Sequence, residues 1–193
     1  MHGAISGSGR QATFEDLIAI PDDRRFHELI DGELVEKAAP SGEHGRTQSK
    51  LANFIGPFDR RGRGPGPGGW WLMTEVEIRF AVAEVYRPDL AGWRRDRVPE
   101  CPRGFPITAR PDWVAEILST TNSSTDRVRK LNRYQHHGVP HYWILDPIEQ
   151  SLSVFRWTDG GYLLVVAAGA DDRVHAEPFE ALELVVGELF GRE

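Results

Sequence analysis

The chain has 193 residues, six tryptophans and 40% hydrophobic residues, enough for one sizeable core. Its net charge of -6 argues against a protein that coats nucleic acid indiscriminately, and no apolar run approaches the ~20 residues of a membrane helix. The single cysteine, Cys101, excludes an internal disulfide framework and fits a reducing cytoplasm.

MHGAISGSGRQ has no apolar signal-peptide stretch and reads as a flexible lead-in over residues 1–12, ahead of a single domain at 13–193. Thr13 is placed to N-cap a short helix over 13–20, with Asp16 completing a capping box and Pro21 ending the pattern. In FHELIDGELVEKAAP, Asp31-Gly32 is a hairpin turn signal, which predicts strand, tight turn, strand over 25–38. His44 to Phe58 predicts a helix with Leu51, Phe54, Ile55 and Phe58 as its buried stripe, weakened at its last turn by Pro57. RRGRGPGPGG, residues 60–69, is a loop.

WWLMTEVEIRF (70–80) reads as one strand and VYRPDLAGW (85–93) as another, followed by a loop over 94–106. DWVAEILS (112–119) is a buried strand. STDRVRKLNRYQHHG is a helix with Ser123 as N-cap, Asp126 at its third position and Gly138 at its C-terminal end. HYWILDP (141–147) is a strand, SLSVFRW and GYLLVVAA form an antiparallel hairpin, and FEALELVVGELF closes the chain partly as helix. Strand 112–119, helix and strand 141–147 suit a right-handed crossover between parallel strands. The fold class is therefore α/β, an α+β mixed sheet. From residue 44 the order is helix, strand, strand, strand, helix, strand, with an N-terminal helix and hairpin before it and a C-terminal hairpin after it.

Two acids stand in segments that otherwise read as buried strands, Asp89 in RPDL and Glu116 in VAEIL. A buried carboxylate is costly unless paired, hydrogen-bonded or bound to a cation. If the two converge, they form an anionic oxygen site suited to Mg²⁺ or Mn²⁺, and a metal held there can activate water for attack at phosphorus. Each acid alone also has an ordinary role, Asp89 in a turn and Glu116 with an arginine. On spacing alone the simpler role of Lys130 is an i,i+4 pair with Asp126, worth about 0.3–0.5 kcal/mol. Asp126 itself suits the capping box with Ser123. His44, at the start of the first long helix, suits a metal ligand, a phosphate contact or a helix cap. Glu28, in the first strand, is better placed than Glu33 to point inward. His136-His137 cannot both face one metal from a helix, and without a CxxC or HxH pattern a zinc site is not expected. No GxxxxGK[ST] loop or GxSxG elbow is present. Arginines cluster at 60–63, 94–97 and 127–133, where the simplest role of each cluster is solvated surface charge.

The succession ELIDGEL, His44, RPDL, AEILS, Asp126…Lys130…Tyr134 and GVPHYWILDP resembles the Uma-type family of bacterial restriction-endonuclease-like proteins, within the PD-(D/E)XK nuclease superfamily. The resemblance runs from about residue 14 to 157. It implies a restriction-endonuclease-like core and a Mg²⁺- or Mn²⁺-dependent phosphodiesterase site acting on DNA. Asp89 and Glu116 would be the metal-binding catalytic acids, Pro88-Asp89 matching the PD. Leu118 stands where the superfamily has its lysine, so Lys130 from the next helix would fill that role. Ser119 and Asp126 would border the site, with Glu28 and His44 as further candidates, and Arg127, Arg129 and Arg133 would contact nucleic acid. Cutting both strands of a duplex favours a homodimer with two-fold related sites. Two rivals share the fold: a catalytically inactive nucleic-acid-binding module, and a dimerisation protein using Trp70, Trp71, Trp93 and Trp113 at an interface.

Overall fold

The structure, a computed structural model, describes residues 10–60, 67–119 and 124–192, with backbone alone at 124–127. Thr13 caps α1 (Phe14–Ile18) through the expected capping box with Asp16. β1 (His27–Ile30) and β2 (Glu33–Glu36) then pair antiparallel across Asp31 and Gly32. These turn residues have φ of 54° and 75°, the left-handed values that a two-residue hairpin demands and that Asp and Gly tolerate. Helix α2 (Gly42–Ile55) starts at the Ser41 cap and buries His44, Thr47, Leu51 and Ile55 along one stripe; at Pro57 it gives way to a 3-10 turn over Gly56–Phe58.

The segments predicted as single strands at 70–80 and 85–93 are each broken in two. β3 (Trp70–Thr74) and β6 (Leu90–Arg94) pair in one sheet, while β4 (Ile78–Ala81) and β5 (Glu84–Tyr86) pair in another. One long hairpin therefore passes between two sheets, with its bend at 75–77 and 87–89. The cause is local. Glu75 adopts φ of 54°, outside the strand region. Pro88 has no N–H to give a ladder.

β7 (Trp113–Ile117) pairs antiparallel with β6 and parallel with β8 (His141–Asp146), and α3 (Ser124–His136) connects the parallel pair. Gly138, with φ of 62°, follows α3. β9 (Ser151–Thr158) and β10 (Gly161–Gly169) form the expected C-terminal hairpin. β11 (Arg173–Val174), β12 (Leu184–Val185) and α4 (Val186–Leu189) complete the chain. The sheet orders are β2-β1-β5-β4, β10-β9-β8-β7-β6-β3 and β11-β12. The mixed α+β class is the one expected. Within the six-stranded sheet the order α2, β3, β6, β7, α3, β8 is the predicted one, with β4 and β5 as an excursion into the second sheet.

The six-stranded sheet carries apolar side chains on both faces. One face packs Ala115, Ile117, Trp113 and Trp143 against Leu51, Ile55 and Phe58 of the α2 side and against Phe179. The other packs Ala91, Trp93, Val114 and Tyr142 against Tyr134 and Val139, together with Ile30 and Tyr86 of the four-stranded sheet. Gly92 eases the packing here, because a Cβ would sit tightly against Leu72 at 3.0 Å and the rings of Trp70 and Trp113 at 3.2 and 3.3 Å. Trp70, Trp93 and Trp113 are buried at 7%, 0% and 0% exposure. Trp71 donates its indole N–H to Val98 O and lies against the Arg95 guanidinium. Of the four tryptophans considered for an interface, Trp70 and Trp113 are core residues against Phe179, Trp93 is core on the opposite face, and Trp71 is partly buried beside that second cluster. Among the described residues no helix is long and apolar enough to cross a membrane.

Candidate active site

The bend of the long hairpin, the end of β7 and the start of α2 meet at one narrow cleft. It is lined by Glu28, Lys37, His44, Asp89, Glu116, Ser119 and Lys130 among others, and it has about 30 Å³ of free volume. That is room for a water or a bare ion. Two wider depressions, of about 410 and 420 Å³, lie around Arg94 and His141 at the other end of the strands. The small cleft has the chemistry: Glu28, His44, Asp89, Glu116 and Lys130 are 1–6% exposed.

Alternation along β7 puts Ala115 and Ile117 on the α2 face and Glu116 on the α3 face. Lys130 comes to it from α3, with Nζ 3.1 Å from both Glu116 oxygens and 2.9 Å from Glu28 Oε2. Tyr134, one turn further along α3, donates its hydroxyl to Glu116 Oε1 at 2.8 Å. Glu28 Oε1 accepts the Arg87 backbone N–H at 2.7 Å. Burial pushes the Glu116 carboxyl up to about 7; Lys130 pulls it down, and the Asp89 charge raises it again. Burial likewise raises the Tyr134 hydroxyl well above its usual range, with Glu116 adding to the shift.

Asp89 divides its two oxygens. Oδ2 accepts the Ile117 backbone N–H at 2.6 Å. Oδ1 lies 2.8 Å from Lys37 Nζ and 3.3 Å from His44 Nε2. Burial alone would raise the Asp89 carboxyl, but the His44 hydrogen bond and the Lys37 charge outweigh it and hold the group well below the carboxylate range. Burial alone would lower the Lys37 ammonium; Asp89, then Glu116, more than offset this and raise it. Glu75, from the facing half of the bend, takes Lys37 at 2.9 Å, Arg87 Nε at 3.3 Å and Gln48 Nε2 at 3.2 Å.

Sequence reasoning named Glu28, His44, Asp89, Glu116, Ser119 and Lys130, and all six line this cleft. Arg129 and Arg133 instead turn to the β1–β2 hairpin, Arg129 pairing with Asp31 and Glu33, and Arg133 with Asp31 and Glu84. The side chains of Asp126 and Arg127, and Ser123, lie outside the described residues. Lys37, Gln48 and Glu75 were not anticipated, and Tyr134 had no assigned role. Tyr134 was the findable one, since it lies four residues after Lys130 on the same helical face. Glu75 had a weaker signal, as an acid inside an apolar strand pattern.

A divalent cation fits these residues. Four carboxylates, Glu28, Glu75, Asp89 and Glu116, face Lys37, Lys130 and the edge of Arg87, so the cleft is net negative with every acid ionised. His44, Glu75 and Asp89 each offer a ligand atom within 4.8 Å of the others. Buried His44 Nδ1 has no hydrogen-bond partner among the described residues. Oxygen donors with one imidazole suit Mg²⁺, Mn²⁺ or a later transition ion.

A nuclease-type fold with a buried acid and lysine cleft is the class that these features define. The model of the Uma2 family, which carries the description "Putative restriction endonuclease", matches residues 12–187, and the chain belongs to that family. Among solved structures it is similar to a protein of Anabaena variabilis described as "a putative nuclease belonging to DUF820". The identity is 24%, the match covers 92% of this chain and 97% of that one, and the TM-score is 0.75. That likeness shows the fold. No curated protein matches the chain.

Proposed function

We propose that this chain is a metal-dependent endonuclease that hydrolyses phosphodiester bonds in DNA, with Asp89 and Glu116 as its metal-holding acids and Lys130 as its catalytic cation. The observation that carries this is the meeting of all three in one cleft where buried carboxylates outnumber lysines. Pro88-Asp89 and Glu116 stand for the PD and the (D/E) of the superfamily pattern. Leu118 packs among apolar residues, and Lys130 brings the ammonium to Glu116 from α3 instead.

Mg²⁺ or Mn²⁺ held by Asp89 and Glu116, with His44 and Glu75 beside them, would supply Lewis-acid polarisation and a nucleophile at neutral pH. The protein groups supply the rest. The Ile117 N–H fixes the plane of Asp89, and Tyr134 fixes Glu116. Lys130 is held against Glu116 and Glu28 and is placed to offset negative charge that develops on the phosphoryl group in the transition state. In the metal-free protein burial holds the Glu116 carboxyl up at about 7, and a bound cation would displace that proton. Arg129 and Arg133 belong to the proposal as phosphate contacts that DNA must win from Asp31, Glu33 and Glu84. A cytoplasmic location and a two-fold dimer that cuts both strands complete it.

The test is cleavage of supercoiled and linear duplex DNA with Mg²⁺ or Mn²⁺ by wild type, Asp89→Asn and Glu116→Gln. Cleavage by wild type alone, abolished by chelation, is the expected result. Salt-sensitive duplex binding with no cleavage would instead identify an inactive nucleic-acid-binding module. Absence of both would leave a structural role.

A further inference from the structure

Lys37 follows β2, and its backbone N–H donates to Phe26 O at 2.6 Å, so the chain is anchored where its side chain enters the cleft. The ammonium makes three contacts: Asp89 Oδ1 at 2.8 Å, Glu75 Oε2 at 2.9 Å and the Arg87 carbonyl oxygen at 2.8 Å. Three is its full donor capacity. Two of the acceptors belong to the His44, Glu75 and Asp89 group that could hold a metal. The other oxygen of Asp89 is taken by Ile117 N. Oδ1 is therefore the oxygen that Asp89 can offer a cation, and Lys37 already holds it.

A divalent ion sits about 2.0–2.2 Å from a carboxylate oxygen. An ammonium hydrogen-bonded to that same oxygen and to Glu75 would lie within a few ångströms of the ion, with like charges repelling in a poorly solvated cleft. Both cannot keep their places. We propose that Lys37 is a resident counter-ion: it occupies the cation position in the metal-free protein, leaves it when a divalent ion binds at Asp89, and so sets the affinity of the site. Lys37 stabilises the metal-free fold by offsetting Asp89 and Glu75, and the same contacts oppose the ion. Its side chain is 17% exposed on a flexible four-carbon stem, so it can withdraw toward solvent without moving β2. The exchange makes and breaks no covalent bond. This inference deepens the reading above and rests on it only for a divalent ion at Asp89.

The experiment is calorimetric titration of Mn²⁺ into wild type and Lys37→Met, which keeps an unbranched apolar stem and removes the charge. The expected result is Mn²⁺ binding tighter by about tenfold in the variant, with a lower melting temperature without metal and a larger rise on adding it. A merely structural lysine would weaken binding when removed. Equal or weaker affinity in the folded variant overturns the proposal. A second measurement needs no variant: a wild-type crystal soaked in Mn²⁺. An ion on Asp89 Oδ1 with Lys37 withdrawn is expected. An ion elsewhere in the cleft with Lys37 still on Asp89 and Glu75 overturns the resident counter-ion and leaves the nuclease reading standing. No Mn²⁺ bound by either protein, with duplex present, overturns both.

Discussion

Asp89 accepts the backbone N–H of Ile117 through Oδ2 at 2.6 Å while Oδ1 faces Lys37 and His44. One carboxylate thus ties the bend between the sheets to the end of β7, and its second oxygen remains for a cation. The two tasks separate by substitution. Asp89→Asn keeps an oxygen for Ile117 but turns its amide NH2 toward Lys37 and removes that lysine's counter-charge, so it should lose some stability, bind no Mn²⁺ and cleave nothing. Asp89→Ala should in addition lose about 1–3 kcal/mol of stability, because a buried N–H is left without a partner. Denaturant unfolding beside plasmid cleavage checks both. Equal stability of the two variants would show that the Ile117 bond contributes nothing.

Much of the fold is legible because its punctuation is local. Thr13 with Asp16, Asp31-Gly32, the Ser41 cap and Gly138 each fix a boundary through neighbouring residues alone. The break of 70–80 and 85–93 is local too, but its signals are weak. Glu75 takes a left-handed φ with no Gly or Asn to announce it. Pro88 is a true signal of a strand's end that is easily absorbed into the RPDL motif. The site divides in the same way. Asp89 and Glu116 stand out because charge inside an apolar strand is anomalous. Lys37 is an ordinary charge just past the end of a strand, and only the register brings it to Asp89, 52 residues away.

Burial holds the Glu116 carboxyl up at about 7, against a usual value of 4.5. Between these values the folded protein keeps a proton that the unfolded chain has released. Folding stability of the metal-free protein should therefore fall as pH rises from about 4.5 to about 7, and level off above. Glu116→Gln should flatten that slope. Metal binding runs the other way, since the ion needs the carboxylate. Mn²⁺ affinity should weaken as pH drops below about 7, with release of about one proton per ion at pH 6 and close to none at pH 8. Calorimetry in buffers of different ionisation enthalpy measures the proton count directly.

Tyr134 fixes Glu116 from α3, and its ring packs edge-on to Tyr86 and beside Tyr142. Tyr134→Phe retains the ring and deletes a hydrogen bond to a buried carboxylate, worth about 1.5–3 kcal/mol when the acceptor is charged. The loss should be largest at pH 8, where Glu116 is ionised, and smaller at pH 5. The hydroxyl favours the carboxylate form, so its removal should also move the pH midpoint of Mn²⁺ binding upward. No loss of stability at either pH value would make Tyr134 a packing residue only.

Lys130 bridges Glu116 and Glu28 at 3.1 and 2.9 Å. Lys130→Met leaves two buried carboxylates facing each other, and breaking such a pair costs about 3–5 kcal/mol. The metal-free variant should unfold more readily, and Mn²⁺ should recover part of the difference. Cleavage should fall by at least about 10²-fold while Mn²⁺ affinity is retained, since the ligands remain and a competing cation has gone. Parallel loss of binding and cleavage would instead mark Lys130 as a residue that merely orders the ligands. Arg in its place should not rescue, because a planar guanidinium is wider than the ammonium it would replace.

Under the proposed function His44 is a nitrogen ligand in the cleft. Its backbone N–H is spent on the Ser41 cap, its Nε2 reaches Asp89 Oδ1 at 3.3 Å, and its Nδ1 is buried without a partner among the described residues. A histidine held this way near two carboxylates makes the site softer than one of oxygens alone. Imidazole suits Mn²⁺ and later transition ions better than Mg²⁺, so wild type should bind Mn²⁺ more tightly than Mg²⁺. His44→Asn offers an amide oxygen instead of a ring nitrogen. It should weaken Mn²⁺ by about tenfold while changing Mg²⁺ affinity much less, narrowing the preference between the two ions. Titration of each ion into both proteins decides the matter: proportionate losses for Mn²⁺ and Mg²⁺ would place His44 outside the coordination sphere, as a partner that only orients Asp89.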